Sequence, residues 1–162
     1  MKESSTARNS GNTAKKTVFL DIMVIFSLFL VVLAFTYMVL NPGKKQSDIR
    51  NSQRNVDVST IMQAVASYVD TTGYLPSAIL LNRECANIGN EICKTGSNDC
   101  KNYVDLTEIL GETGLTQIPV DTFRTSGNGT GYYIAHDGEG NVLVCAPLAE
   151  RNIVITAKQF VY

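Results

Sequence analysis

Histidine is nearly missing from this chain: His136 is the only one, and the four cysteines include no C-x-x-C pair. The usual spacing of zinc ligands is therefore absent. There is also no nucleophile elbow, no H-E-x-x-H, and no phosphate-binding glycine loop joined to a Lys and a Ser or Thr; Lys16-Thr17 and the scattered glycines do not make one. These absences argue against an enzyme, and no cofactor is expected. Net charge is lacking too, with 14 basic against 15 acidic residues. Nucleic-acid binding calls for a basic face, so no direct nucleic-acid site is expected.

Charge, proline and glycine are all missing from Ile22 to Leu40, which reads IMVIFSLFLVVLAFTYMVL. As a helix it would reach about 28 Å, close to a hydrocarbon core of about 30 Å. A helix that is apolar all round has no face to offer water, so residues 17–41 are expected to span a membrane. Residues 1–16, MKESSTARNSGNTAKK, are polar and basic and are expected to form a disordered leader. A secretory signal has a shorter apolar region, about 7 to 15 residues, ending in small residues. This run is longer and ends in Tyr37-Met38-Val39-Leu40-Asn41-Pro42, which favours a retained anchor.

Orientation does not follow from charge, because Lys2, Arg8, Lys15 and Lys16 precede the run while Lys44, Lys45, Arg50 and Arg54 follow it. The cysteines discriminate better. Cys85, Cys93, Cys100 and Cys145 all lie beyond the run, and an even set in a small module fits disulfides in an oxidising compartment. The expectation is a single-pass protein of the cytoplasmic membrane, N-terminus inside and C-terminal domain outside. Pairing Cys93 with Cys100 closes the shortest loop and leaves Cys85 with Cys145; this is one of three connectivities, and free thiols are the remaining alternative.

Beyond the run, Asn41-Pro42-Gly43 should interrupt the helix, with a kink at Pro42 and Gly43. Residues 42–72 then turn amphipathic. Val58, Ile61, Met62, Val65, Tyr68 and Val69 recur three and four apart, with Arg54, Asp57, Gln63 and Ser67 elsewhere around the helix. Gly73 supplies a stop and Pro76 prevents resumption. The two halves would form one helical spine, half in lipid and half against a globular head over 73–162. Ser77 to Thr116 reads as mostly irregular, with a short helix around Asp105 to Gly111. Tyr132–His136 and Val142–Cys145 flank the five-residue loop Asp137–Asn141 as a hairpin, and Ile153 through Val161 gives a third strand. The fold class is α+β: a long N-terminal helix packed on a small antiparallel sheet.

The order of these pieces resembles type IV pilin-like proteins. It comprises a short basic leader, an apolar helix with Asp21 near its start, NPGKKQSDIRNSQRNVDVSTIMQAVASY and then GYLP. The later segments EICKTG, IPVD, GTGYYI and VCAPLAE are similar to one bacterial branch of that family. The likeness covers nearly the whole chain beyond the leader; each motif is weak alone, and their order is specific. It implies a pilin-like fold and a structural subunit of a type IV pilus or related pseudopilus, serving adhesion, motility, secretion or DNA uptake. Such subunits are stored in the cytoplasmic membrane, polymerise through the apolar helix into a surface filament and are added by an ATP-driven machine. The implied partners are copies of this chain or other pilin subunits, the membrane, the pilus assembly machinery and a prepilin peptidase.

The same resemblance gives Asp21 the role of the register-setting acid, the fifth residue of a processed chain, which pairs with a neighbour's terminal amine. Cleavage would then fall between Lys16 and Thr17. The family pattern has Gly before the cut, an aromatic residue after it and Glu fifth; none of these stands here, and Gly11 lies too far upstream. The plainer reading of Asp21 is an interfacial carboxylate in the first helical turn beside Lys15 and Lys16, favoured by the helix dipole. The alternative function is an unprocessed, single-pass, membrane-anchored extracytoplasmic binding module with a pilin-like domain. Three residues carry weaker readings: Asp121 faintly resembles the calcium loop of some pseudopilins but lacks companion ligands; His136 flanks the hairpin; and Asn128-Gly129-Thr130 matches a glycosylation sequon but more simply turns the chain.

Overall fold

The computed structural model describes residues 10–39, 42–86, 90–123 and 127–161. It contains two long helices, α1 (Ser10–Val39) and α2 (Pro42–Thr72), and a short one, α3 (Thr107–Thr113). The strands are β1 (Glu91–Cys93), β2 (Gly129–His136), β3 (Asn141–Cys145) and β4 (Thr156–Phe160). The chain divides into two compact units, Met1–Lys44 and Lys45–Tyr162.

In the first unit the helix begins at Ser10, earlier than the expected Thr17. Ala14, Lys15 and Lys16 are good helix formers and no proline stands between Ser10 and Lys16, so the helix of the apolar run extends backward through them and over the poorer formers Gly11 and Asn12. α1 is described to Val39 and α2 from Pro42. Leu40 and Asn41, which precede the kink expected at Pro42 and Gly43, lie outside the described residues.

In the second unit α2 lays its apolar stripe on a four-stranded antiparallel sheet of order β1-β2-β3-β4. Val58, Ile61, Met62, Val65, Tyr68 and Val69 are all buried, as their spacing requires. All of these but Val69 join Tyr132 and Ile134 of β2 and Val142 and Val144 of β3 in one core cluster, which Ile92, Val104, Leu106, Ile109, Ile118 and Ile155 help to complete. Burying each such side chain contributes about 1.5–3 kcal/mol. The stripe does not stop where its apolar residues stop. Ser47, Asn51 and Arg54 continue the same three-and-four spacing toward the start of α2 and are buried as well, and so is Asp57. The expectation that Arg54 and Asp57 lie off the packed face is therefore corrected: both find partners inside the head. Gly73, with φ of 80°, ends α2 and returns its amide to the Val69 carbonyl at 2.7 Å.

The sheet corrects three further expectations. β1 lies in a stretch read as irregular, because three residues are too few to display alternation. It pairs with β2, and on its other side the Cys93 amide donates to the Val104 carbonyl at 2.9 Å while the Val104 amide donates to Glu91 at 2.8 Å. The hairpin loop is four residues, since Asn141 already pairs with Phe160. The last strand begins at Thr156 because Arg151 and Asn152 adopt left-handed φ values of 63° and 55°, turning the chain before it can run straight.

Candidate functional site

Every side chain from Val18 to Val39 is exposed, and the large apolar ones are between 49 and 79% exposed. A helical stretch beginning at Val18 is long and apolar enough to cross a membrane. Two of its hydroxyls are silenced by their own backbone. Ser27 donates to the Val24 carbonyl at 2.8 Å and Thr36 to the Val32 carbonyl at 2.7 Å, so neither needs water. The surface is therefore apolar in effect as well as in composition.

Asp21 is exposed on this helix, about three turns inside it. That corrects its placement in the first turn: the dipole acts over the first turn only and no longer accounts for the acid. Lys16 and Thr17 are both helical, so the expected cleavage junction lies within α1. Gly43 lies in α2 with open space where a Cβ would stand.

The head carries a charge cluster that the sequence did not suggest. Arg54, only 2% exposed, donates from Nε to Asp121 Oδ2 at 2.5 Å and from Nη2 to Oδ1 at 3.2 Å. Its Nη1 reaches Asn51 Oδ1 at 2.9 Å and Glu150 Oε1 at 3.3 Å. Arg50 grips Glu150 with two parallel bonds of 2.6 and 2.7 Å. Asn51 then clamps the Glu150 backbone, accepting its amide and donating to its carbonyl, both at 3.0 Å. Both guanidinium groups lie over the Phe123 ring, 5.0 and 5.3 Å from its centre. Two segments distant in sequence, Asp121–Phe123 and Glu150, are thereby tied to the first half of α2.

Electrostatics follow from these bonds. The bond from Arg50 leads in holding the Glu150 carboxyl down at about 2, against burial, which acts to raise it; Arg54 adds to the depression. Arg54 is raised above its ordinary value chiefly by its bond to Asp121, against burial. Tyr132 is raised by burial and by its hydroxyl's 2.5 Å bond to Asp57. At the hairpin, burial opposes ionisation of Asp137, yet the bond from Lys158 and the amides of Glu139 and Asn141 outweigh it and hold the carboxyl below the usual range. These groups are saturated with partners, which suits holding a shape better than transferring protons.

The remaining candidates are placed as follows. Cys85 is bonded to Cys145 and Cys93 to Cys100. The Asp121 carboxylate faces the Arg54 guanidinium and also accepts the Phe123 amide at 2.8 Å, so a cation there would meet a positive charge. No group of three metal-ligating side chains occurs among the described residues. His136 ends β2, half-buried, its amide donating to the Leu80 carbonyl at 3.1 Å. Thr130 of the sequon is fully buried and donates to the Ile92 carbonyl at 3.0 Å, which leaves its hydroxyl unavailable in the folded head. No family model matches this chain, and no curated protein or solved structure matches it either.

Proposed function

We propose that this chain is a structural subunit of a type IV pilus or related pseudopilus, polymerising through α1 with its disulfide-stapled head outward. The observation that carries the reading is the all-round apolar, exposed surface of α1 from Ile22 to Val39 in a chain whose head has a complete core of its own. Such a helix is satisfied by lipid or by copies of itself, and moving between the two avoids exposing it to water. The head needs no such partner, because α2 already covers the sheet. Asp21 is then the group placed to set register between neighbours, since a carboxylate amid apolar side chains gains most from a paired cation.

A second reading, the unprocessed anchored binding module, is favoured by the junction itself: Lys16 and Thr17 are helical and the family's glycine is absent. Intact mass and N-terminal sequencing of native protein, from sheared surface filaments and separately from membranes, decide between them. A chain starting near Thr17 in the filament fraction supports the subunit. Full-length protein confined to membranes overturns polymerisation and leaves the anchored module.

A further inference from the structure

We infer that the first half of α2, Lys45–Arg54, is a releasable strap: it opens from the head, and frees the turn between β3 and β4, while the apolar core stays closed.

The two halves of α2 hold the head by different means. From Val58 onward the contact is the apolar stripe. Between Lys45 and Arg54 the buried side chains are Ser47, Asn51 and Arg54, and Ile49, the one large aliphatic residue there, is 60% exposed. The charges of this stretch face opposite charges across the gap: Arg54 meets Asp121, Arg50 meets Glu150, and Asp48 meets Arg151. Parting an apolar contact puts hydrocarbon into water with nothing in return. Parting these contacts restores water to ions that were stripped of it, and that hydration offsets much of the lost attraction. The strap therefore opens at a lower free energy than the core. Asp57 stands at the boundary, because its carboxylate accepts the hydroxyl of Tyr132, a member of the core, at 2.5 Å.

The turn depends on the strap more than on itself. Its own backbone bonds are long: the Ala149 amide donates to the Ala146 carbonyl at 3.2 Å and the Ile153 amide to the Glu150 carbonyl at 3.4 Å. Arg151 and Asn152 nevertheless hold left-handed φ, a conformation that Arg in particular keeps only where its surroundings impose it. What imposes it comes from α2. Asn51 holds both backbone groups of Glu150, Arg50 holds its carboxylate, and Asp48 holds Arg151. Asp121, by contrast, is also fixed to β2, since its amide donates to the Thr130 carbonyl at 2.8 Å. Opening loosens the turn and leaves Asp121 in place.

Two like substitutions separate a strap from a fraying helix end. Asn51→Ala removes the clamp on Glu150 and a bond from Arg54. Asn55→Ala removes only a bond within the helix, from Nδ2 to the Asn51 carbonyl. Both raise helix propensity, so a helix end that merely frays should exchange more slowly in either. Hydrogen–deuterium exchange of the full-length protein in detergent is read by mass spectrometry on peptides covering residues 45–54, 61–69, 132–145 and 149–154. Without substitution, 45–54 should exchange faster than 61–69. Asn51→Ala should speed exchange about tenfold in 45–54 and 149–154 together, with 61–69 and 132–145 unchanged. Asn55→Ala should speed none of them. Equal exchange of 45–54 and 61–69 in the unsubstituted protein overturns the inference, because α2 then opens as one piece. So does slower or unchanged exchange of 45–54 in Asn51→Ala, which is fraying, and so does a rise that spreads to 61–69, which is global unfolding. A rise in 45–54 with none in 149–154 overturns the release of the turn.

Discussion

A guanidinium as deeply buried as that of Arg54 is costly unless its donors are met, and Asp121, Asn51 and Glu150 meet them. Removing one partner leaves the other charge stranded. Arg54→Ala and Asp121→Ala should each lower unfolding stability by about 3–5 kcal/mol. Replacing the pair together by Met and Leu should cost much less than the sum of the single changes, which denaturant titration of the purified protein reads as a coupling energy. The carboxylates also predict a pH profile. Glu150 falls from 4.5 in the free side chain to about 2 when folded, so its contribution is full above pH 4.5 and is lost as pH drops toward 2. Asp137, also depressed, acts in the same direction. Tyr68 is raised to about 12, led by its bond to Tyr74, so its contribution is full below pH 10 and is lost as pH climbs toward 12. Denaturation midpoints measured across pH should be flat between 5 and 9 and fall on both sides, and a midpoint that falls between pH 7 and 5 would contradict these assignments.

Among the elements, the two disulfides do unequal work. Cys85–Cys145 ties the segment before β1 to the end of β3 across a separation of 60 residues, and Cys93–Cys100 closes one of 7. Loop-closure entropy grows with the logarithm of that separation, giving about 4 kcal/mol for the first and about 2 kcal/mol for the second. Paired Ser substitutions should therefore lower the melting temperature more for Cys85 and Cys145 than for Cys93 and Cys100. The β1–β2 contact has its own sensitive point at Gly129, where an added Cβ would collide with the Glu91 side chain and Tyr103. The Glu91 carboxylate also receives the Gly131 amide at 2.9 Å, so Gly129→Ala should loosen the short β1 by displacing that acceptor.

For the whole molecule, the chain divides at Lys44 and Lys45 into a unit that holds the long apolar run and a unit that holds the head. The core of the head draws entirely on residues from Val58 onward, and its disulfides and charge cluster lie within Lys45–Tyr162. A fragment comprising Lys45–Tyr162 should fold with both disulfides formed and run as a monomer on gel filtration without detergent. The full chain should require detergent or lipid. A fragment that aggregates or fails to oxidise correctly would mean that the head depends on the first unit.

What the sequence by itself determined was whatever its neighbours three, four or two apart can express. The continuous apolar run of α1, the stripe from Val58 to Val69, the stop at Gly73 and the hairpin around Asp137 are of this kind, because local periodicity and turn chemistry carry them. Tertiary structure alone decided that Arg54 and Asp57 belong inside, that Glu91–Cys93 becomes a strand, and which of three cysteine pairings forms. Arg54 meets acids 67 and 96 residues away, and Asp57 meets a tyrosine 75 residues away, so neither residue's own surroundings reveal the partner that makes its burial affordable. β1 is too short to show a pattern and exists through pairing with β2 and Val104. The same holds for the turn at Arg151: its apolar residues read as the start of a strand until a clamp from α2 bends them away.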